Sequence, residues 1–126
     1  MKRIVDLKER NYADKDAFED APVNYEDAIE NYKRMLDITG DVAANIIEPN
    51  SESVDLEGPH LENGRMLYAS KTVENIEATR QAGLWGISMP RRYDGLNIPN
   101  TVFSMASELI AAADAGFQNV WSLQSC

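Results

Sequence analysis

Few side chains in this sequence are of types and spacings that do chemistry. The single histidine, His60, stands in a Gly-Pro-His turn with Glu57 and Glu62 close by. A mononuclear metal site needs three or four convergent ligands, and one imidazole supplies one, so His60 reads as a solvated loop residue. Neither Cys126 nor the serines have a base spaced to activate them, so nucleophilic catalysis finds no triad. Glu26, Asp27, Glu30, Asp37 and Asp41 could supply an acid–base pair, but they share the polar side of a helix, which they solvate. No Gly-x-Gly-x-x-Gly or Walker-type loop is present, and Gly83 and Gly86 are flanked by large apolar residues. Arg91-Arg92 is an adjacent basic pair that reads as a surface salt-bridging pair or as a contact to an anionic ligand or another domain. Trp85 and Trp121 read as core residues or as ligand platforms. No residue is assigned a catalytic, metal-binding or cofactor-binding role.

The elements that would position these groups are helical. Residues 1–21 are charge-dense with scattered aromatics, and are expected to form an arm that orders only by docking. Asn24 is a good N-cap, followed by Glu26 and Asp27 where the helix dipole favours acid. From there, apolar residues recur at steps of three and four from Ala28/Ile29 to Ile46/Ile47, which predicts an amphipathic helix that Pro49 stops. Residues 49–68 are expected to wrap the surface or hold some extended structure. A second helix is predicted over Ser70 to Ala82, with Val73, Ile76 and Thr79/Arg80 at helical spacing and Gly83 at C′. Residues 84–90 are expected to form a buried loop or short extended piece, and Tyr93-Asp94-Gly95 reads as a turn. Pro99 and Asn100 open a third helix to about Ala115, apolar nearly all round and therefore expected at the centre of a bundle. Gly116 is expected to interrupt it before a fourth helix from Phe117. No period-two pattern is sustained, so the fold class is all-α.

At 126 residues the chain has the length of one domain, and 44% apolar with 26% charged content is close to the soluble average. Its net charge of −9 falls entirely in residues 1–62, while 63–126 sum to zero. An acidic half joined to a neutral one excludes nucleic acid and anionic membrane surfaces as partners, because both need clustered Lys and Arg. No apolar run reaches the roughly 18 residues of a membrane span, and Met1 to Arg10 hold no apolar run of the kind a secretory signal needs. One cysteine makes no internal disulfide, so a reducing, cytoplasmic setting is expected. A chain that stops on Trp121-Ser-Leu-Gln-Ser-Cys126 reads as cut rather than finished.

Two blocks carry a family resemblance. Gly83-Leu-Trp-Gly-Ile-Ser-Met-Pro90, running on through Tyr93-Asp94-Gly95 to Pro99, resembles the "gly-leu-x-gly", proline, Tyr and glycine-turn segment of acyl-CoA dehydrogenases. Ser107-Glu108-Leu109 through Asp114-Ala115 resembles that family's "glu-glu-leu-ala-x-x-asp-ala" helix, and the spacing between the blocks matches. The likeness covers about residues 22–126, most densely the last third. It departs where the family's acidic pair is Arg91-Arg92, its double glycine Asp94-Gly95 and its third glycine Asn97; Asp and Asn tolerate the left-handed backbone that such a turn needs.

The resemblance implies an up-and-down helical bundle over 22–126 behind an extended amino-terminal arm (1–21). This would be the amino-terminal domain of a longer flavoprotein, with a middle β-domain and a carboxy-terminal helical domain outside this chain. It implies α,β-dehydrogenation of an acyl-CoA thioester in fatty acid metabolism, with FAD held by the rest of the protein. Electron-transferring flavoprotein would accept the electrons, and the parent would be a homo-oligomer. This piece alone would be inactive and bind no FAD. Gln118, Trp121 and Ser122 match the positions that line the acyl pocket, on one helical face. The alternative is a stand-alone helical protein-interaction module without enzymatic activity.

Overall fold

A computed structural model describes residues 1–125, with side chains as far as Leu123. Cys126, and any role for it, lies outside the described residues. The chain is mostly helical. The arm contains helix α1 (Lys2–Lys8), which is followed by α2 (Tyr25–Val42), a π-helical turn (Ala43–Ile47) and α3 (Glu48–Glu57). A hairpin of β1 (His60–Glu62) and β2 (Arg65–Leu67) leads to α4 (Ser70–Gln81), a 3-10 turn (Arg91–Tyr93), α5 (Asn100–Ala113) and α6 (Ala115–Ser125). The two strands are antiparallel, with Leu61 opposite Met66. The core forms where α5 packs on α2 and α6, around Tyr32, Ile47, Val102, Ile110 and Trp121.

Local chemistry explains most of the element ends. Asn24 Oδ1 accepts from the Asp27 amide (2.9 Å) while the Val23 amide donates to Asp27 Oδ2 (2.9 Å), a reciprocal cap that starts α2. Gly83 has φ +71°, with its amide bonded to Arg80 O and that of Leu84 to Thr79 O (both 3.0 Å), the glycine stop expected for α4. Glu57, the last residue of α3, takes the Ser70 amide (2.9 Å) and hydroxyl (2.6 Å) at the start of α4. Those bonds, the hydroxyl first, hold its carboxyl below the ordinary 4.5. A depressed carboxyl contributes stability above the unfolded value that is lost as pH falls through the folded one. Thermal melts should therefore fall more steeply with acidification below pH 4.5 in the wild type than in Glu57→Gln; equal slopes would remove this role.

Four expectations are corrected. Pro49 does not stop the long helix: the π turn lies immediately before it, with the Glu48 amide reaching back to Ala43 O. Widening the ladder there accommodates a ring that lacks an N–H and crowds the preceding turn, so α2 and α3 run on through aligned helical backbone to Glu57. Helix α4 does not bury Val73, which is about half exposed, but Thr72, Asn75 and Thr79. Its seam is polar: Asn50 Nδ2 donates to Asn75 Oδ1 (2.8 Å), and Thr79 Oγ1 accepts from Trp85 Nε1 (2.9 Å). Helix α5 buries only the stripe of Val102, Ala106 and Ile110, leaving Met105 and Leu109 exposed. The α5–α6 break lies at Asp114, not Gly116; its backbone is extended and its Oδ1 caps the Phe117 amide at 2.9 Å.

The arm docks. Val5 is fully buried, and the arm turns back through Arg10, Asn11 and Tyr12, three successive residues at φ +49° to +62°. Each is a costly conformation for a side-chain-bearing residue. The turn is held by the Asn11 amide on Asp6 O (2.8 Å), Tyr12 Oη on Asp6 Oδ1 (2.7 Å) and an Arg10–Asp14 ion pair. Asp94 and Asn97 also take positive φ, which carries the turn where the resembled family has glycine. Between them Gly95 is irreplaceable for another reason: a Cβ there would lie 2.6 Å from Met89 Cβ and closer still to the Met89 carbonyl. Gly95→Ala is expected to cost about 1–3 kcal/mol by forcing this loop apart, read as a lower urea midpoint; an unchanged midpoint would show that the loop can shift freely.

Candidate functional site

Helices α5 and α6 leave a groove of about 330 Å³ between them, lined by Phe103, Ser104, Ser107, Glu108, Ala111 and Gln118. Gln118 Nε2 donates to Ser107 Oγ at 2.6 Å, which fixes the amide across the groove and leaves its Oε1 and the serine hydroxyl to face other groups. Phe103 stacks on Trp121, with ring centroids 5.3 Å apart and planes 12° from parallel. Trp121 is fully buried and its Nε1 donates to Leu84 O (3.0 Å), tying α6 to the loop after α4.

Of the three residues placed in a pocket wall, then, only Gln118 lines the groove directly. Trp121 lies behind Phe103, and Ser122, partly buried one residue further on, is not among the lining residues. Phe103 and Ser107 escape sequence reading because helical spacing within α6 says nothing about which α5 side chains meet it. His60 is exposed at the start of β1, and no group of three or more metal-ligating side chains converges among the described residues.

Arg91 is not a surface residue. It is buried, and its Nη1 and Nη2 reach Glu9 Oε2 (2.6 Å) and Oε1 (3.2 Å), with Nη2 also on Leu96 O (3.2 Å). Tyr32 Oη donates to Glu9 Oε1 at 2.6 Å. Burial first, and then the carboxylate, push the Tyr32 phenol well above its ordinary range, so it stays a donor. Asn97 Nδ2 donates to Lys8 O (3.1 Å), a second tie between the turn and the arm. The basic pair splits in function: Arg91 anchors the arm, while exposed Arg92 lies over the Tyr93 ring at 4.8 Å.

With this geometry in hand, similarity to a curated protein points to one enzyme class, the acyl-CoA dehydrogenases. The relative is 3-methylmercaptopropionyl-CoA dehydrogenase of Ruegeria pomeroyi, 27% identical over 89 residues, which is 71% of this chain and 15% of the relative. The chain thus spans less than a sixth of that protein's length. No family model and no solved structure matches. No helix among the described residues is long and apolar enough to cross a membrane.

Proposed function

We propose that this chain is the amino-terminal helical domain (22–126, with the arm 1–21) of an FAD-dependent acyl-CoA dehydrogenase, and that its α5–α6 groove is part of the acyl-pocket wall. The observation that carries this reading is the 89-residue similarity to an enzyme that acts on a short thioether acyl-CoA. The groove supports it. Gln118, clamped on Ser107, gives a fixed polar edge, and Phe103 stacked on Trp121 gives a rigid apolar one. Such a wall orients a short acyl chain. Trp121 limits its length from behind, through Phe103.

The flavin belongs to the rest of that protein. The groove carries the Glu108 carboxylate, and the Asp114 side chain already occupies the amino end of α6, so neither offers a diphosphate site. Dehydrogenation, transfer to electron-transferring flavoprotein, homo-oligomer formation and a cytoplasmic location are proposed for the parent enzyme, and no catalytic group is placed here. The product of the whole reading frame should purify with flavin absorbance that bleaches anaerobically on adding a short acyl-CoA thioester. Gln118→Ala should raise KM about fivefold with kcat little changed, the loss of about one hydrogen bond. A flavin that acyl-CoA does not bleach would overturn the reading.

A stand-alone helical protein-interaction module is the second reading. It is favoured by Leu56, Leu61 and Met66, which stand exposed on and beside the hairpin. A colourless full-length product would favour it.

A further inference from the structure

We infer that the cavity between the arm and α2 is a second binding site, for a small ligand with a neutral amide head, an aliphatic body and a cationic far end. It goes beyond the dehydrogenase reading and does not depend on it. The cavity measures about 430 Å³, a size ordinary for small-molecule sites. Met35, Leu84 and Ile98 make its buried apolar surface, and Ala21 at the end of the arm, with Pro22 after it, closes one side.

Arg91 also lines this cavity, with its side chain 4% exposed. Its terminal nitrogens are engaged by Glu9 and Leu96 O, but its Nε–H has no acceptor. The closest carboxylate oxygen, Asp20 Oδ2, is 3.8 Å away, beyond hydrogen-bonding distance. A buried guanidinium N–H with no acceptor, beside a cavity with buried apolar walls, fits a ligand oxygen.

Charge decides which oxygen. The Arg91 cation is already balanced by Glu9, and the other charged lining residues are Glu19, Asp20 and Asp27 against Arg34. A carboxylate or phosphate would meet this acidic surplus, whereas an amide carbonyl accepts from Nε–H without adding charge. The same surplus favours an ammonium at the end of the ligand remote from Arg91. Because the arm supplies one side of the cavity, ligand binding stabilises the docked arm by mass action.

The test uses the 126-residue chain and three probes: hexanamide, 6-aminohexanamide and hexanoate. Both amides should shift the Arg91 Nε–H resonance saturably and slow proteolysis of the arm, with 6-aminohexanamide about threefold to fivefold tighter. Hexanoate should do neither. Glu19→Gln, a change at an exposed lining carboxylate, should erase much of the ammonium preference while keeping hexanamide binding. Three results would each overturn the proposal: no shift at Arg91 Nε–H with either amide, equal binding of hexanoate, or shifts confined to the α5–α6 groove.

Discussion

Arg91→Ala is expected to lower the unfolding free energy by about 3–5 kcal/mol, because it leaves a buried carboxylate without its cation. Glu9 is only 1% exposed, and after the change Tyr32 Oη and a long Asn97 contact (3.5 Å) would be its remaining side-chain partners. The damage should be directional. Glu9 sits between α1 and the left-handed turn, so losing its partner frees the arm first. Amide exchange should quicken at Val5, Glu9 and Asn11 more than in α5. The paired change Glu9→Met with Arg91→Met keeps similar volume and removes both charges, and should recover most of the loss. Urea titrations of the three proteins decide the matter. A loss below about 1 kcal/mol in Arg91→Ala, the level of an exposed pair, would mean that the ion pair is solvated in solution.

Trp121→Ala is expected to cost a similar amount, about 3–5 kcal/mol, by a different route. The indole fills the meeting point of α5, α6 and the loop after α4, so truncation opens a void, strips Phe103 of its stacking partner and leaves Leu84 O without its donor. Trp121→Phe preserves much of the packing but not the N–H, and should cost about 1–3 kcal/mol. Trp85→Ala is the comparison: Trp85 is only partly buried and bonds a hydroxyl at the edge of the α4 seam, so its loss should be smaller. Thermal melts rank the three. If Trp85→Ala proved the more damaging, the centre of the core would lie nearer α4 than the packing indicates. In the full-length enzyme proposed above, Trp121→Ala should also let Phe103 sink away from the groove and admit longer acyl chains.

Features governed by chain-local chemistry were legible in the sequence. Asn24 begins α2, Gly83 ends α4, and Asp94 and Asn97 adopt the left-handed backbone for which their side chains suit them. Pro49 misled because a proline ends a helix only if the ladder stays in α register, and the π turn that relieves it has no residue signature of its own. Of the buried face of α4, Thr79 falls on the predicted stripe, whereas Thr72 and Asn75 are polar and the burial of Asn75 depends on its partner Asn50 in α3. The Glu9–Arg91 pair spans 82 residues; no local spacing predicts it, and each member alone looks like surface charge. Within the site, Gln118 is named only through the family resemblance, whereas Phe103 and Ser107 depend on how α5 and α6 face each other.

The turn at Arg10, Asn11 and Tyr12 makes the arm spring-loaded. Arg10 and Tyr12 in the left-handed region hold roughly 1–2 kcal/mol each and Asn11, which tolerates it, less, and that tension is relaxed whenever the arm lifts off. The net grip of the arm is therefore weaker than its burial of Val5 and Glu9 suggests.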